Sequence, residues 1–347
     1  MDKIDFVVTW VNGEDPSWKA LKKKYEPDSM SGQENGTSLQ ASEDANDACR
    51  FRELGFLKYW FRAVEQCAPW VNQVYFVTCG QKPLWLNDNH PKLRLVDHKD
   101  YMPEPYLPTF NSNPIELNLH RIGDLAEHFV LFNDDTILLQ PVSPGFFFKN
   151  GKPRLSCNLR YPNIAQANLI NRIKFNNYVV INKHFDTQRS IRTNWKKWFD
   201  LPTLGFKRVR RNLACFLANG TIPIDTFGHV ALPHLKSTME EAWDTEYSIM
   251  NETSAHRFRD DSQINQWMLC AWNLAKGQFE PANENSIGRH FDVAPYYLPE
   301  IVNAIRGRSY PQICINDSRF NTEAERCSQE IIRAFESIYP NKSQFEK

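Results

Sequence analysis

The sequence has no surplus of charge of either sign: 41 Lys and Arg residues balance 41 Asp and Glu residues, for a formal net charge of +0. That balance argues against a strongly basic nucleic-acid binder and against an acidic solvating tail, and it leaves the partner class to be read from local sites. No stretch approaches the roughly 20 apolar residues of a membrane span, and the opening MDKIDFVVTW has an apolar stretch far too short for a secretory signal, with acids on both sides. The eight cysteines (Cys49, Cys67, Cys79, Cys157, Cys215, Cys270, Cys314 and Cys327) are scattered, with no Cys-x-x-Cys pair and no zinc-like spacing to the nine histidines. Read as reduced thiols, and with no signal or span, they lead to an expectation of the cytoplasm. There is no internal repeat either. What is there, at 347 residues and 41% hydrophobic composition, is a globular chain able to bury a full core as one large domain or two smaller ones.

Residues 4–11 (IDFVVTWV) are β-branched and aromatic and predict a buried strand that runs into the turn Asn12-Gly13-Glu14-Asp15-Pro16. Residues 26–47 are rich in Ser, Asn, Asp, Glu and Gln and predict a flexible loop. Leu54, Leu57, Phe61 and Val64 recur at helical spacing within residues 50–66, ahead of Pro69. Residues 73–79 and 93–97 read as short strands, 115–127 as a helix and 128–133 (HFVLFN) as another buried strand. This alternation predicts an α/β, Rossmann-like architecture, a mostly parallel sheet with flanking helices, over residues 1–150. Beyond Pro153 longer helical patterns (164–173, 178–199, 234–250, 262–274 and 322–338) predict a mainly helical layer or subdomain, 151–347, that covers the sheet's carboxyl edge and completes the site. The boundary near 150 is soft, and one continuous domain fits as well. Within the second half, Lys207-Arg208-Val209-Arg210-Arg211 is a basic cluster, either a solvated face or a contact with anionic lipid or a polyanionic acceptor.

The most informative spot is Asp134-Asp135, where the apolar strand stops in acid. Open α/β sheets bind ligands beyond the carboxyl ends of their strands, and adjacent carboxylates repel unless a metal or an arginine offsets them. Such a pair suits a divalent cation held against phosphate. An Asn-Asp-Asp run is equally an ordinary turn.

Four blocks in order along nearly the whole chain resemble the Stealth proteins. IDFVVTWVNGEDPSW resembles their first conserved region, and the stretch from Arg52 to Asp135, with ELGFLKYWFRAVEQCAPWVNQVYFVTCGQKPLWL, LPTFNSNPIELNLHRI and LFNDD, the second. HVALPHLKS with HRFRDDSQ resembles the third, and CIND with ESIYPNKSQFE the fourth. That family includes bacterial capsular polysaccharide phosphotransferases and the catalytic subunit of the lysosomal-enzyme N-acetylglucosamine-1-phosphotransferase. The resemblance implies a fold of nucleotide-sugar transferase type, with the donor bound by residues 1–150. It also implies transfer of a sugar 1-phosphate from a nucleotide sugar, a UDP-sugar above all, to a hydroxyl of a glycan or polysaccharide acceptor. The sequence lacks the spans and spacer modules of the animal subunit, so a compact bacterial capsule or wall-polymer enzyme fits better, at most peripheral to the inner face of the membrane or to the capsule assembly machinery.

The resemblance also assigns residues. Asp134 and Asp135 would hold Mg²⁺ or Mn²⁺ against the diphosphate, hard oxygen ligands suiting those ions, and Asn316 and Asp317 of CIND would complete or border that site, or form a turn. His229 and His234 flank a proline-containing segment that resembles the catalytic-histidine region; either is a candidate general base, with His234 favoured by its Pro-His context. The spacing departs from the animal form, which leaves the match between them open. Arg257 is the candidate phosphate clamp and Arg259 its rival, the alternative for both being a salt bridge to Asp260 or Asp261. His120 and Arg121 are expected to face the pocket. Asp5, Trp10, Asn12 and Gly13 are placed at the end of the first strand, where a uridine-type base and ribose are expected, with Thr78, Gly80 and Gln81 ending the second strand on the same edge. Asn111, Ser112 and Glu116 are weaker acceptor-side candidates. Two other readings stand beside this one: a metal-dependent glycosyltransferase that releases a nucleoside diphosphate, and a non-catalytic polysaccharide-binding or assembly protein.

Overall fold

The structure, a computed structural model, describes residues 3–26, 51–160, 168–218, 224–225, 229–317 and 321–347, so the expected loop at 26–47 lies almost wholly outside the described residues. In chain order the strands are β1 (Ile4–Thr9), β2 (Val74–Thr78), β3 (Leu93–Asp97), β4 (His128–Asn133), β5 (Thr136–Leu138), β6 (Phe148–Lys149), β7 (Lys152–Ser156), β8 (Asn158–Leu159), β9 (Ile224–Asp225), β10 (Leu232–Leu235), β11 (Glu280–Ala282), β12 (Arg289–Asp292) and β13 (Gln312–Asn316). The apolar runs of β1, β2 and β4 are buried nearly end to end, as strands covered on both faces must be.

These strands form a five-stranded sheet of order β10-β4-β1-β2-β3. β1 runs parallel to β2 and β4, and β2 parallel to β3; only β10 is antiparallel, against β4. Thr9 lies opposite Asn133 and Thr78 opposite Asp97, so four strands end on one edge. At that edge β4 passes through Asp134-Asp135 into β5, which pairs antiparallel with β13, and β13 in turn pairs in parallel with β12. The acid pair thus sits at the seam between a five-stranded and a three-stranded sheet, which is the mixed α/β architecture with a mostly parallel sheet that the sequence predicts.

Side-chain alternation along β1 feeds two cores. Phe6 and Val8 pack with Trp60, Phe61 and Phe132 under the helices Leu57–Cys67 and Ala324–Ile338. Val7 points the other way, to Phe129, Leu131 and the buried helix Trp267–Lys276. Both cores draw residues from either side of residue 150. Among the described residues no helix is long and apolar enough to cross a membrane.

Helix bounds differ from the periodicity in instructive places. Helix Leu57–Cys67 begins only after Gly55, whose φ of +81° is incompatible with a continuous helix from residue 50. The expected helix at 115–127 is a short helix, Ser112–Leu117, and a 3₁₀ turn, Leu119–Arg121, because the Asn118 side chain turns back to the Pro114 carbonyl, 2.8 Å away. The pattern at 234–250 opens instead as a strand, β10, before the helix Lys236–Thr245.

Asp5 stands at the start of β1, on the sheet's amino edge, and not at the end where the sequence reading placed it. Its fully buried carboxylate accepts from Asn72 Nδ2 at 2.7 Å and from the amides of Gln73 at 3.1 Å and Ala126 at 2.8 Å. Burial raises its pKa in spite of these three bonds. The residue ties two loops to the sheet and is remote in topology from the edge that carries the acid pair. Asp5→Ala is therefore expected to destabilise the fold by about 2–4 kcal/mol, from the donors it leaves unpaired, while donor affinity holds. Urea denaturation with a donor-binding titration checks this; lost binding at unchanged stability would return Asp5 to the site.

Candidate active site

Beyond the carboxyl edge opens a cleft of about 260 Å³. Its walls include Trp10, Glu53, Asn111, Ser112, Glu116, Asp134, Asp135, His229, Arg259, Asn316 and Asp317. The seam supplies the acids: the Ile315 amide donates to the Asp135 carbonyl at 2.9 Å, and Thr136 Oγ1 donates to Asp135 Oδ1 at 3.1 Å. Burial raises the pKa of both carboxyls, and Asp135 and Glu53 push Asp134 further in the same direction. Two acids held so close, with a third beside them, are a donor set that a divalent cation satisfies. Asn316 and Asp317 end β13 on the same wall. Asp317 is also paired with Arg52 Nη1 at 2.9 Å and accepts from Asn321 Nδ2 at 2.7 Å, so it already shares its charge.

The three-stranded sheet aligns a second group. In register, His290 lies opposite Cys314 and Cys314 opposite Thr136, one row across β12, β13 and β5. His229 stacks on His290 with ring centroids 4.4 Å apart, and a ligating atom from each of His229, His290 and Cys314 lies within 4.8 Å of the others. Burial, and then the neighbouring Asp135 carboxyl, raise the pKa of the Cys314 thiol. Nitrogen and sulfur donors therefore back the oxygen donors of the acid pair. No motif spacing signals this row, because it exists only through strand register.

Arg259 reaches the cleft because its neighbours take the other partners. Asp260 is engaged by His256 at 2.5 Å and Asp261 by Arg172 at 2.5 Å, while Arg259 Nη2 donates to Ser112 Oγ at 2.5 Å. Asn111 and Asn113 both donate to Gln263 Oε1, at 2.9 and 2.8 Å, and so bind the helix Ser112–Leu117 to the segment that carries the arginine. Arg257 turns away: it donates to the Leu107 carbonyl at 3.2 Å and lies 5.0 Å from the Tyr25 ring. Of the two arginines, Arg259 lines the cleft and Arg257 does not.

The same comparison separates the histidines. His234 is 1% exposed in the middle of β10, opposite Phe129, stacked on that ring and donating from Nε2 to Gln266 Oε1 at 2.7 Å. Burial lowers its pKa to about 4. It is a core residue and not, as its Pro-His context suggests, a residue of the cleft, which His229 lines. His120 and Arg121 lie against Trp243, the arginine 4.7 Å over its ring, and not in the cleft.

Asn12, Gly13, Thr78, Gly80 and Gln81 build the rim and do not line the cleft, whereas Trp10 does. The Gln81 amide clamps Asn12, accepting from its backbone N at 2.7 Å and donating to its carbonyl at 3.0 Å, and Thr78 Oγ1 donates to the Gln81 carbonyl at 2.8 Å. Gly80 and Gln81 border a neighbouring hollow of about 510 Å³ that shares Trp18, Cys79, His98, Thr109 and Phe110 with the cleft. A Cβ on Gly13 would lie 2.3 Å from the Phe51 carbonyl oxygen, so only glycine lets the segment after Phe51 close down. That segment brings Glu53 to the indole N–H of Trp10. Arg52 and Glu53 are site residues that sequence reasoning missed.

Glu116 is buried beside Arg259, and burial pushes its carboxyl up to about 7, against the opposing pull of Arg259 and Ser112. A raised acid holds its proton in the folded state where the unfolded chain has lost it, so stability falls as pH rises from the unfolded value toward 7. Glu116→Gln is expected to match wild type near pH 4.5 and to exceed it by about 3 kcal/mol at pH 8. Denaturant midpoints of both proteins across that range are the check, and an unchanged pH slope in the variant would reject the assignment.

Comparison with known proteins gives the family. Residues 2–30 match the model of Stealth conserved region 1 and residues 50–155 that of conserved region 2. A capsular polysaccharide phosphotransferase, WcwK, of Streptococcus pneumoniae is 39% identical over 100% of this chain and 99% of its own. The receptor polysaccharide phosphotransferase WefC of Streptococcus oralis is 37% identical over all of both chains, and the exopolysaccharide phosphotransferase cps2G of Lactiplantibacillus plantarum 35% identical over 99% and 96%. The galactosyltransferase LgtC, solved with donor and acceptor sugar analogues, aligns over 95% of both chains at 11% identity and a TM-score of 0.37, a likeness too distant to bear on the site. On the strength of its full-length relatives, this chain belongs to the Stealth family.

Proposed function

We propose that the chain transfers a sugar 1-phosphate from a nucleotide sugar, a UDP-sugar in the first instance, to a hydroxyl of a glycan acceptor, and so forms a phosphodiester in capsular or related polysaccharide synthesis. One observation carries this reading: a single cleft at the carboxyl edge of a parallel sheet combines an acid pair, an arginine and a histidine. Those are the groups that attack on a diphosphate requires, namely charge neutralisation, a clamp on phosphate oxygens and a base. Full-length relatives named as polysaccharide phosphotransferases support it. The described cysteines are free thiols, which suits a reducing compartment such as the cytoplasm.

In this mechanism the acceptor oxygen attacks the β-phosphorus and its proton passes to a ring nitrogen of His229. The bond from that phosphorus to the bridging oxygen breaks, and nucleoside monophosphate leaves with the electron pair. Arg259 forks onto non-bridging oxygens, where its charge meets the charge that develops. Asp134 and Asp135, with Asn316 and Asp317 at the border, would hold Mg²⁺ or Mn²⁺; a bound ion of that kind neutralises the diphosphate. Glu53 would sit behind Asp134, and Trp10 offers an indole face along the donor side.

The two histidines give a sharp test. His229→Ala is expected to lower kcat at least about a hundredfold with donor Kd little changed, as for loss of a general base. His234→Ala should keep the kcat of the folded protein and lower stability by about 2–4 kcal/mol, through lost packing and an unpaired Gln266. Normal turnover by the His229 variant would remove it from the mechanism.

Asp134→Asn and Asp135→Asn are each expected to cut turnover at least about a hundredfold, and a chelator to abolish it until Mg²⁺ or Mn²⁺ is restored. Full activity after chelation would reject the metal. With a donor labelled on its β-phosphate, label should enter the product as a phosphodiester while unlabelled nucleoside monophosphate is released. Label recovered wholly in nucleoside diphosphate, beside an unphosphorylated glycoside, would establish glycosyl transfer instead.

A further inference from the structure

The helix Phe206–Leu217 carries apolar residues on both sides. A helix on a globular surface ordinarily buries its apolar face and exposes its charges. Here Arg208 and Asn212 are buried beside the partly buried Val209, Cys215 and Phe216, while Phe206, Leu213 and Leu217 are 72%, 45% and 67% exposed. The inward orientation is fixed by hydrogen bonds. Arg208 Nη1 donates to Ser156 Oγ at 2.6 Å, and Asn212 Nδ2 donates to the carbonyls of Cys157 at 3.0 Å and Trp198 at 3.1 Å. Asn212 Oδ1 accepts from the Leu159 amide at 3.1 Å, so the helix is locked to the backbone around β8. Rotating it to hide the apolar residues would leave buried polar groups without partners.

At about 100° per residue, Phe206, Leu213 and Leu217 fall within about 40° of one line along the helix, with Arg210 beside them. Lys207 and Arg210 are exposed, and Arg211 bonds to Asn158, so the basic cluster is not one uniform solvated face. Residues 201–217 contain four basic and no acidic side chains, counted as Lys207, Arg208, Arg210 and Arg211. On the flank, the Arg192 guanidinium lies 5.8 Å from the Phe216 ring and adds a further positive charge.

An exposed apolar stripe edged by cations, on a helix whose polar side is occupied inward, has the chemistry of an interfacial membrane anchor. We infer that this helix docks the protein on an anionic lipid bilayer, with Phe206, Leu213 and Leu217 at the boundary of headgroups and acyl chains and Lys207 and Arg210 among the anionic headgroups. Charge complementarity selects that occupant, since a second copy of this face would bring like charges together. The inference is independent of the catalytic reading: it uses no residue of the cleft.

Flotation of the full chain with vesicles decides it. The protein should float with vesicles of roughly one-third phosphatidylglycerol in phosphatidylcholine and stay behind with pure phosphatidylcholine, and added salt should weaken the binding. Phe206→Ser/Leu213→Ser/Leu217→Ser and Lys207→Glu/Arg210→Glu should each lower the partition coefficient at least about tenfold, at wild-type melting temperature. Should the triple variant fail to fold, the charge variant carries the test alone. Undiminished binding by a folded variant, or no flotation of the wild type with the anionic vesicles at low salt, would overturn the inference. So would a wild-type dimer, seen by analytical ultracentrifugation, that the serine variant dissociates while neither protein binds vesicles; the face would then belong to a second copy.

Discussion

The bond from the Ile315 amide to the Asp135 carbonyl, 2.9 Å long, is the constraint on which the rest of the site depends. It closes β13 onto the segment that leaves β4, and so joins the three-stranded sheet to the five-stranded one at the acid pair. Everything on the acceptor-facing wall inherits its position from that seam. Asn316 and Asp317 follow β13, His290 is carried by β12 in register with Cys314, and His229 rests on His290. Across the cleft, Trp10 directly follows β1 and Asn133 ends β4. A parallel sheet alone would align strand ends and give an edge; the seam turns the edge into a cleft.

Electrostatics in the cleft are unbalanced in a way that favours a cation. Glu53, Asp134 and Asp135 gather on one side, and burial already disfavours the charged forms of Asp134 and Asp135. Arg52 is committed to Asp317 and Arg259 lies toward Ser112 and Glu116. Positive charge is thus available at the rim and beside the helix Ser112–Leu117. In a chain with net charge +0, such local separation of charge is the part of the electrostatics that says something about ligand.

Much of the fold was legible because parallel strands buried on both faces are apolar throughout, and β1, β2 and β4 stand out for that reason. The acid pair at the end of β4 was legible on the same ground. Choices between near neighbours were not. Pro-His at 233–234 reads like a motif, yet antiparallel pairing sets His234 opposite Phe129 near the amino end of β4, and strand register is invisible in a linear pattern. Arg257 and Arg259 differ by two residues, and what separates them is the capture of Asp260 by His256 and of Asp261 by Arg172, the latter a partner about ninety residues away in sequence (89 by number). Asp5 was misplaced for a simpler reason: the strand starts one residue before it, so a polar group in an apolar run marked the amino edge.

Because Asp134 and Asp135 join β4 of the larger sheet to β5 of the smaller one, and His229 rests on His290 of β12, their mutual distance is set by packing behind the seam and not by either sheet alone. Ile313 and Ile315 are fully buried in the core that also holds Phe132 and Ile137, so the residues that seat β13 against β5 are core residues of the larger sheet. Interiors this closely packed shift as units and resist continuous deformation. His229 lies on a bend ahead of β10, stacked on His290 of β12 and edge-on to Trp267 of the helix Trp267–Lys276, and so takes its orientation from rings that a strand and a helix hold in place. The cost of the arrangement is that a change in the size of a β13 side chain is transmitted to the acid pair and to His229 together.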